Sequence, residues 1–124
     1  MKIYEYPKCS TCRAAKKFIK EHNINAEFID ITKEQPSKEE IKNILKTFNI
    51  PLKKLFNTSG VKYKELKLKD VLPNISEDEA IDILLSDGML IKRPLAFHCS
   101  QETLLLGFKE DEWSAALTAH KFDW

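Results

Sequence analysis

Two cysteines, Cys9 and Cys12, stand in the run Pro7-Lys8-Cys9-Ser10-Thr11-Cys12-Arg13 near the start of a chain of 124 residues. Sulfur at this spacing supports two chemistries. One is a redox pair, in which the first thiolate attacks and the second resolves; the other is half of a zinc site. A thiol attacks only as its anion, and a helix N-terminus or a nearby cation lowers its pKa toward neutrality. Lys8 and Arg13 flank the pair and push the same way. Zinc takes about four ligands. The other candidates, Cys99, His22, His98 and His120, form no second Cys-x-x-Cys and no His-x-x-x-His. Strand character before the pair and helical character after it favour the redox reading, with zinc and an inert structural pair as its alternatives.

The elements that position the thiols can be read in order. Lys2 to Tyr6 predicts a strand. Thr11 to His22 predicts a helix with Ala15, Phe18, Ile19 and His22 on one face and Lys16, Lys17, Lys20 and Glu21 on the other. Asn23-Ile24-Asn25 ends it, and Ala26 to Ile31 predicts a second strand, parallel to the first through a right-handed βαβ connection. The thiols therefore fall at the turn from strand into helix, where unpaired N–H groups and the positive end of the helix dipole converge.

A polar break at Thr32 to Pro36 leads into a helix with a capping box, Ser37 with Glu40, and buried positions Ile41, Ile44, Leu45 and Phe48. Pro51 opens a short helix with Leu52, Leu55 and Phe56. After the turn Asn57 to Gly60 comes a short segment bearing Tyr63, Leu66 and Leu68. Ser76 with Glu79 predicts a second capping box, Ala80, Ile81, Leu84 and Leu85 its buried face, and Gly88 its C-terminal stop. Met89 to Phe97, interrupted by Pro94, and Thr103 to Phe108 predict a β-hairpin through His98-Cys99-Ser100-Gln101-Glu102. Glu110-Asp111-Glu112 opens a last helix with Trp113, Ala116 and Leu117 turned inward. The order βαβ, helical block, ββα is the thioredoxin-like plan: an α/β fold with a mixed four-stranded sheet and an inserted helical block. With no repeat, linker or low-complexity tract, residues 1–124 read as a single domain.

The balance of 20 basic and 19 acidic residues leaves a net charge of +1, which gives no general pull toward nucleic acid or membrane. No apolar run approaches the roughly 20 residues of a bilayer span. The N-terminus enters a strand directly, and the cysteine count is odd, so the chain reads as cytoplasmic. A monomer is expected. Nine lysines between Lys38 and Asp70 offer a basic face to an acidic partner or to solvent, and Glu77-Asp78-Glu79 with Asp82 and Asp87 form its acidic counterpart. Cys99 beside His98 is either a resolving thiol or a half-buried strand cysteine. Phe122 and Trp124 are expected to pack back on the domain.

Only two of the basic residues are arginine, Arg13 and Arg93. Lysine suffices for surface charge here, so these two point to a use for the planar guanidinium, which grips oxyanions and carboxylates bidentately. Arg93 directly precedes Pro94, which within an apolar run marks an edge, a bulge or a cis peptide. By fold-level analogy, a cis proline lies opposite the Cys-x-x-Cys of thioredoxin-like proteins.

These features together, Pro7-x-Cys9-x-x-Cys12-Arg13, the capped helix after Gln35-Pro36, Lys62-Tyr63-x-Glu65-Leu66, Gly88 to Leu95 with its Arg93-Pro94, and Gly107-Phe108-x-Glu110, resemble the arsenate reductase family of the glutathione/glutaredoxin-coupled type, which includes the Spx-type regulators. The resemblance implies Cys9 as nucleophile, Cys12 as the second thiol of a switchable disulfide, and Arg93 as an oxyanion-holding catalytic residue. Ser10, Thr11, Arg13, Arg93 and Pro94 are expected to meet the substrate. It implies no bound cofactor but a thiol donor: glutathione, glutaredoxin or thioredoxin. The family's reductases carry two further arginines. Here Asn57 stands at about the first position and none stands near Phe108-Lys109, so arsenate itself is expected to be reduced feebly or not at all. The alternative implied role is a redox-sensing regulator binding the C-terminal domain of the RNA polymerase α subunit. The glycine-bearing turn of such regulators has no counterpart at Asn49-Ile50-Pro51.

Overall fold

The computed structural model describes residues 1–99 and 102–118. Four strands, β1 (Lys2–Glu5), β2 (Glu27–Asp30), β3 (Leu95–His98) and β4 (Thr103–Leu106), form one sheet in the order β2-β1-β3-β4. β1 runs parallel to β2 and antiparallel to β3, and β3 pairs antiparallel with β4. The sheet is thus mixed, and the thioredoxin-like arrangement expected from the βαβ and ββα halves holds. Helices α1 (Ser10–Glu21), α2 (Lys38–Phe48), α3 (Val61–Glu65), α4 (Leu68–Val71), α5 (Glu77–Ser86) and α6 (Glu110–Leu117) complete the order. Among the described residues no helix is long and apolar enough to cross a membrane.

The chain divides into two compact units: residues 1–30 with the chain from Arg93 onward, and residues 31–92 between them in sequence. In the first, Ile3, Ala96 and Leu105 from one sheet face pack with Ala15, Phe18 and Ile19 of α1 and with Trp113 and Leu117 of α6. Trp113 is wholly buried, and its indole N–H donates to the Gly107 carbonyl at 3.0 Å. A buried indole needs such a partner, and Gly107 supplies the turn with a φ of 72°. Alternation along the strands sends Tyr4 and Phe97 to the opposite face, where their rings stack 6.1 Å apart.

In the second unit Ile41, Ile44 and Leu45 of α2 and Ala80, Ile81 and Leu84 of α5 are buried, as their spacing predicts, while Phe48 and Leu85, expected with them, are only half-buried. The Ser37–Glu40 capping box is complete in both directions. That at Ser76 is not. The Ser76 hydroxyl caps the Glu79 N–H, but the Glu79 carboxylate accepts from that same hydroxyl at 3.1 Å rather than from the Ser76 backbone.

Two other expectations need correction. Gly88 does not close α5 in a left-handed conformation; Asp87, extended, is the C-cap, and its carboxylate accepts from the Met89 N–H at 2.9 Å. Gly88 is required by contact instead, since a Cβ there would lie 2.1 Å from the Ile31 carbonyl oxygen. The run Met89 to Phe97 is also not one strand. Gly88–Leu90 forms a 3-10 turn, and Ile91 makes a single antiparallel bridge to Phe56. The N–H groups of Leu90, Ile91 and Lys92 are spent on Asp87, Gly88 and Leu55, and Pro94 has none to give. The strand therefore starts only at Leu95. The expected positions Ser100, Gln101, His120, Phe122 and Trp124 lie outside the described residues.

Candidate thiol site

The site is built where β1 hands over to α1. Tyr6-Pro7-Lys8-Cys9 forms a turn closed by a 2.9 Å hydrogen bond from the Cys9 N–H to the Tyr6 carbonyl. Proline's fixed φ suits the second position of such a turn. Cys9 is then the N-cap of α1, extended at φ −86° and ψ 122°, and its carbonyl accepts from the Arg13 N–H at 3.0 Å. The helix begins at Ser10, one residue earlier than the spacing predicts. Its first turn carries no acidic side chain.

Cys9 is half-buried and Cys12 is buried, 1% exposed; both are free thiols. Burial, the largest single influence on Cys9, pushes its pKa up. It is outweighed by the N–H and thiol of Cys12, the N–H of Thr11 and the positive charge of Arg93, so Cys9 lies below the ordinary thiol value. The neutral thiol caps nothing, but its anion finds donors already waiting. Cys12 goes the other way. Burial chiefly, with the hydrogen bond to Cys9 and the charge of Cys9 added, pushes it up to about 12, against the Tyr6 N–H and Arg93, which lower it. Of the two thiols Cys9 is thus the more acidic, and Cys12 holds its proton more tightly.

The cation that acts on both thiols is Arg93, from the far end of the sequence. Lys8 and Arg13, the sequence neighbours, are exposed, where water weakens their fields. Arg13 instead donates to the Pro7 carbonyl at 3.4 Å. The guanidinium of Arg93 lies over the Tyr6 ring, 5.4 Å from its centroid. The Arg93–Pro94 peptide is cis, and the Pro94 carbonyl accepts from the Gly107 N–H at 2.9 Å, which ties it to the end of β4. Ser10 and Thr11 are exposed at the first two helical positions; of the two, it is the Thr11 amide that bears on Cys9.

Sequence reasoning missed two residues. Tyr6 was legible only as a strand residue, yet its ring carries the Arg93 guanidinium and its N–H faces the Cys12 sulfur. Glu5 is buried at the end of β1, with its carboxylate 3.6 Å from the Lys16 ammonium. An acid inside a strand next to Cys-x-x-Cys was the only available signal. The other candidate ligands stay apart. His22 is exposed and packs on Phe18 with Nδ1 2.9 Å from the Phe18 carbonyl, while His98 and Cys99 are half-buried at the end of β3. Among the described residues no three of His, Cys, Asp and Glu come together as metal ligands.

A mixed sheet of this order with paired thiols opening the first helix defines a thioredoxin-like protein. More narrowly, the model of the ArsC family matches residues 4–116, and the chain belongs to that family. The uncharacterized protein YusI of Bacillus subtilis is 51% identical over 111 residues, 90% of this chain and 92% of that one. The global transcriptional regulator Spx of Lactiplantibacillus plantarum is 27% identical over 89% of this chain and 80% of its own. A crystal structure of an ArsC family related protein from Bacteroides fragilis is 43% identical and superposes with a TM-score of 0.82, covering 93% and 95% of the two chains.

Proposed function

We propose that the protein is a thiol–disulfide oxidoreductase of the ArsC family, with Cys9 as nucleophile and Cys12 as resolving thiol. The observation that carries this is the placement of the pair, Cys9 as the uncapped N-cap of α1 and Cys12 buried one turn on, which moves the two thiol pKa values apart, Cys9 down and Cys12 up to about 12. Groups whose environments push their pKa values apart divide into acid and base, or here nucleophile and reserve. The Cys9 thiolate attacks one sulfur of a substrate disulfide. The new bond is Cys9–S–S–R, and the other half leaves as a thiolate. Cys9 then bears no charge and no longer accepts from Cys12, which removes two of the three influences that raise Cys12. Cys12 gives its proton to solvent, attacks the Cys9 sulfur and expels the second thiolate. The substrate gains two electrons, and the protein holds a Cys9–Cys12 disulfide, which two equivalents of a donor thiol reduce. Arg93 supports the anions of this sequence. No bound cofactor takes part, and glutathione, glutaredoxin or thioredoxin is the donor class. We read the chain as one cytoplasmic domain acting as a monomer.

The test is peptide mapping after glutathione disulfide or mild peroxide. A Cys9–Cys12 disulfide reversible by dithiothreitol is expected, and Cys12→Ala is expected to trap a mixed disulfide at Cys9. Alkylation of Cys12 ahead of Cys9, or pairing of Cys99 with either, refutes the assignment. Arsenate turnover is expected to be feeble or absent, because a dianion competes with water only where several fixed donors converge.

A second reading is favoured by the likeness to a protein named as a global transcriptional regulator. In it, the same disulfide is a switch and the partner is the RNA polymerase α C-terminal domain. Retention of that domain by one redox form only, without thiol turnover, would select it.

A further inference from the structure

Along α1, beyond the thiols, lies a groove of about 450 Å³ contained in the first unit. That volume is within the roughly 300–1,000 Å³ range of ligand clefts. Its floor is apolar, built from Ile19, Ile24 and Phe28. Its rim is Arg13, Lys16, Lys17 and Lys20, and among the described residues no carboxylate lines it. For a chain of net charge +1 this is a segregation of charge, not the average surface. Lys16 reaches back to Glu5 at 3.6 Å and Lys17 to Glu21 at 3.9 Å, while Lys20 forms no ion pair among the described residues.

The spacing of the cations selects the ligand. Positions i, i+3, i+4 and i+7 form one stripe on a helix, rising about 10 Å from first to last. A small anion reaches one or two of them. An extended peptide advances about 3.3 Å per residue, so acidic side chains on alternate residues meet the stripe at both ends. We infer that the groove docks an extended acidic segment of a partner protein, with carboxylates on Arg13, Lys17 and Lys20 and one apolar side chain seated between Ile24 and Phe28. A partner held there lies along the helix whose first turn carries the thiols. The inference uses charge and shape only, so it stands or falls apart from the thiol chemistry.

The experiment is fluorescence anisotropy with a labelled peptide of alternating glutamate and serine around one phenylalanine. It uses full-length protein carrying Cys9→Ser, so that no thiol exchange contributes. Binding is expected, weakening steeply with salt. It is expected to fall roughly tenfold or more in Lys17→Glu/Lys20→Glu, where two attractions become repulsions. Lys17→Arg/Lys20→Arg is expected to retain it, and a peptide with lysine for glutamate is expected not to bind. Should the charge-reversed protein misfold by circular dichroism, the salt and peptide-charge dependence of the parent protein decides. Three results overturn the inference. One is no binding of the acidic peptide, or equal binding by the folded charge-reversed variant. Another is displacement of the peptide by equimolar decanoate or inorganic phosphate, which assigns the groove to a small anion. The third is a salt-sensitive dimer lost in the same variant, which assigns it to a second copy of this chain.

Discussion

Helices α1 and α2 begin in opposite ways. Ser37 caps α2 through a reciprocal pair with Glu40, and Glu39 and Glu40 place negative charge in its first turn. Its free N–H groups and its dipole are satisfied by its own side chains. α1 opens on Cys9, whose neutral thiol makes no capping bond, with no acid in the first turn. Its N–H groups at Thr11 and Cys12 are left to whatever anion forms at Cys9. A serine oxygen at an N-cap accepts from the second or third helical residue, and the Cys9 sulfur is served by those same two amides. One helix start is closed by its own side chains; the other is left open to an anion at Cys9.

The largest effect that tests this contrast is Cys9→Ser. With the proposed nucleophile removed, the rate of the proposed disulfide reduction is expected to fall by roughly three orders of magnitude or more. In buffer acid enough to protonate Cys9, the same change is expected to raise stability by about 0.5–1 kcal/mol, because serine caps and a thiol does not. Urea denaturation checks it, and a Cys9→Ser protein no more stable than its parent would remove the contrast. Next is Arg93→Ala, expected to raise the Cys9 pKa and slow its alkylation severalfold at mildly acid pH; ultraviolet titration of the thiolate measures it. An unchanged titration would assign the open helix start to the amides alone.

At the closed helix, Ser37→Ala is expected to cost about 1 kcal/mol. Cys9→Ala in acid should cost distinctly less, and equal losses in urea would show that both helix starts are capped alike. The pH dependence follows by linkage. Cys9 is lowered in the folded state, so it contributes stability that is present above the unfolded thiol pKa and lost as pH falls through its folded value. Cys12 is raised, so its contribution is complete below the unfolded thiol pKa and is lost as pH rises from there toward about 12. Cys12→Ala is expected to flatten the alkaline slope, which is at most about 1.4 kcal/mol per pH unit, and a slope it leaves untouched contradicts the assignment. The smallest effect belongs to the exposed pairs Lys38–Asp82 at 3.0 Å and Lys42–Asp78 at 2.9 Å, which join α2 to α5. Lys42→Ala is expected to lower Tm slightly in dilute buffer and not at all in concentrated salt; a loss that survives salt would mean packing rather than charge.

Much of this molecule is written in short spans. The placement of Cys9 at a strand-to-helix turn, the Ser37–Glu40 cap and the buried faces of α1, α2 and α5 depend on partners three or four residues away, and periodicity reports such distances directly. The parallel β1–α1–β2 unit follows as well, because the handedness of the connection leaves little choice. Tertiary structure decided what rests on distant partners. Gly88 reads as a helix stop until the Ile31 carbonyl lies where its Cβ would be. The expected strand from Met89 loses its first residues because their N–H groups go to Asp87, Gly88 and Leu55. Lys8 and Arg13 look like the cations of the thiol site because they adjoin it in sequence. An electrostatic field follows distance and burial rather than chain order, and it is Arg93, held over Tyr6 more than eighty residues after the thiols, whose charge reaches both sulfurs.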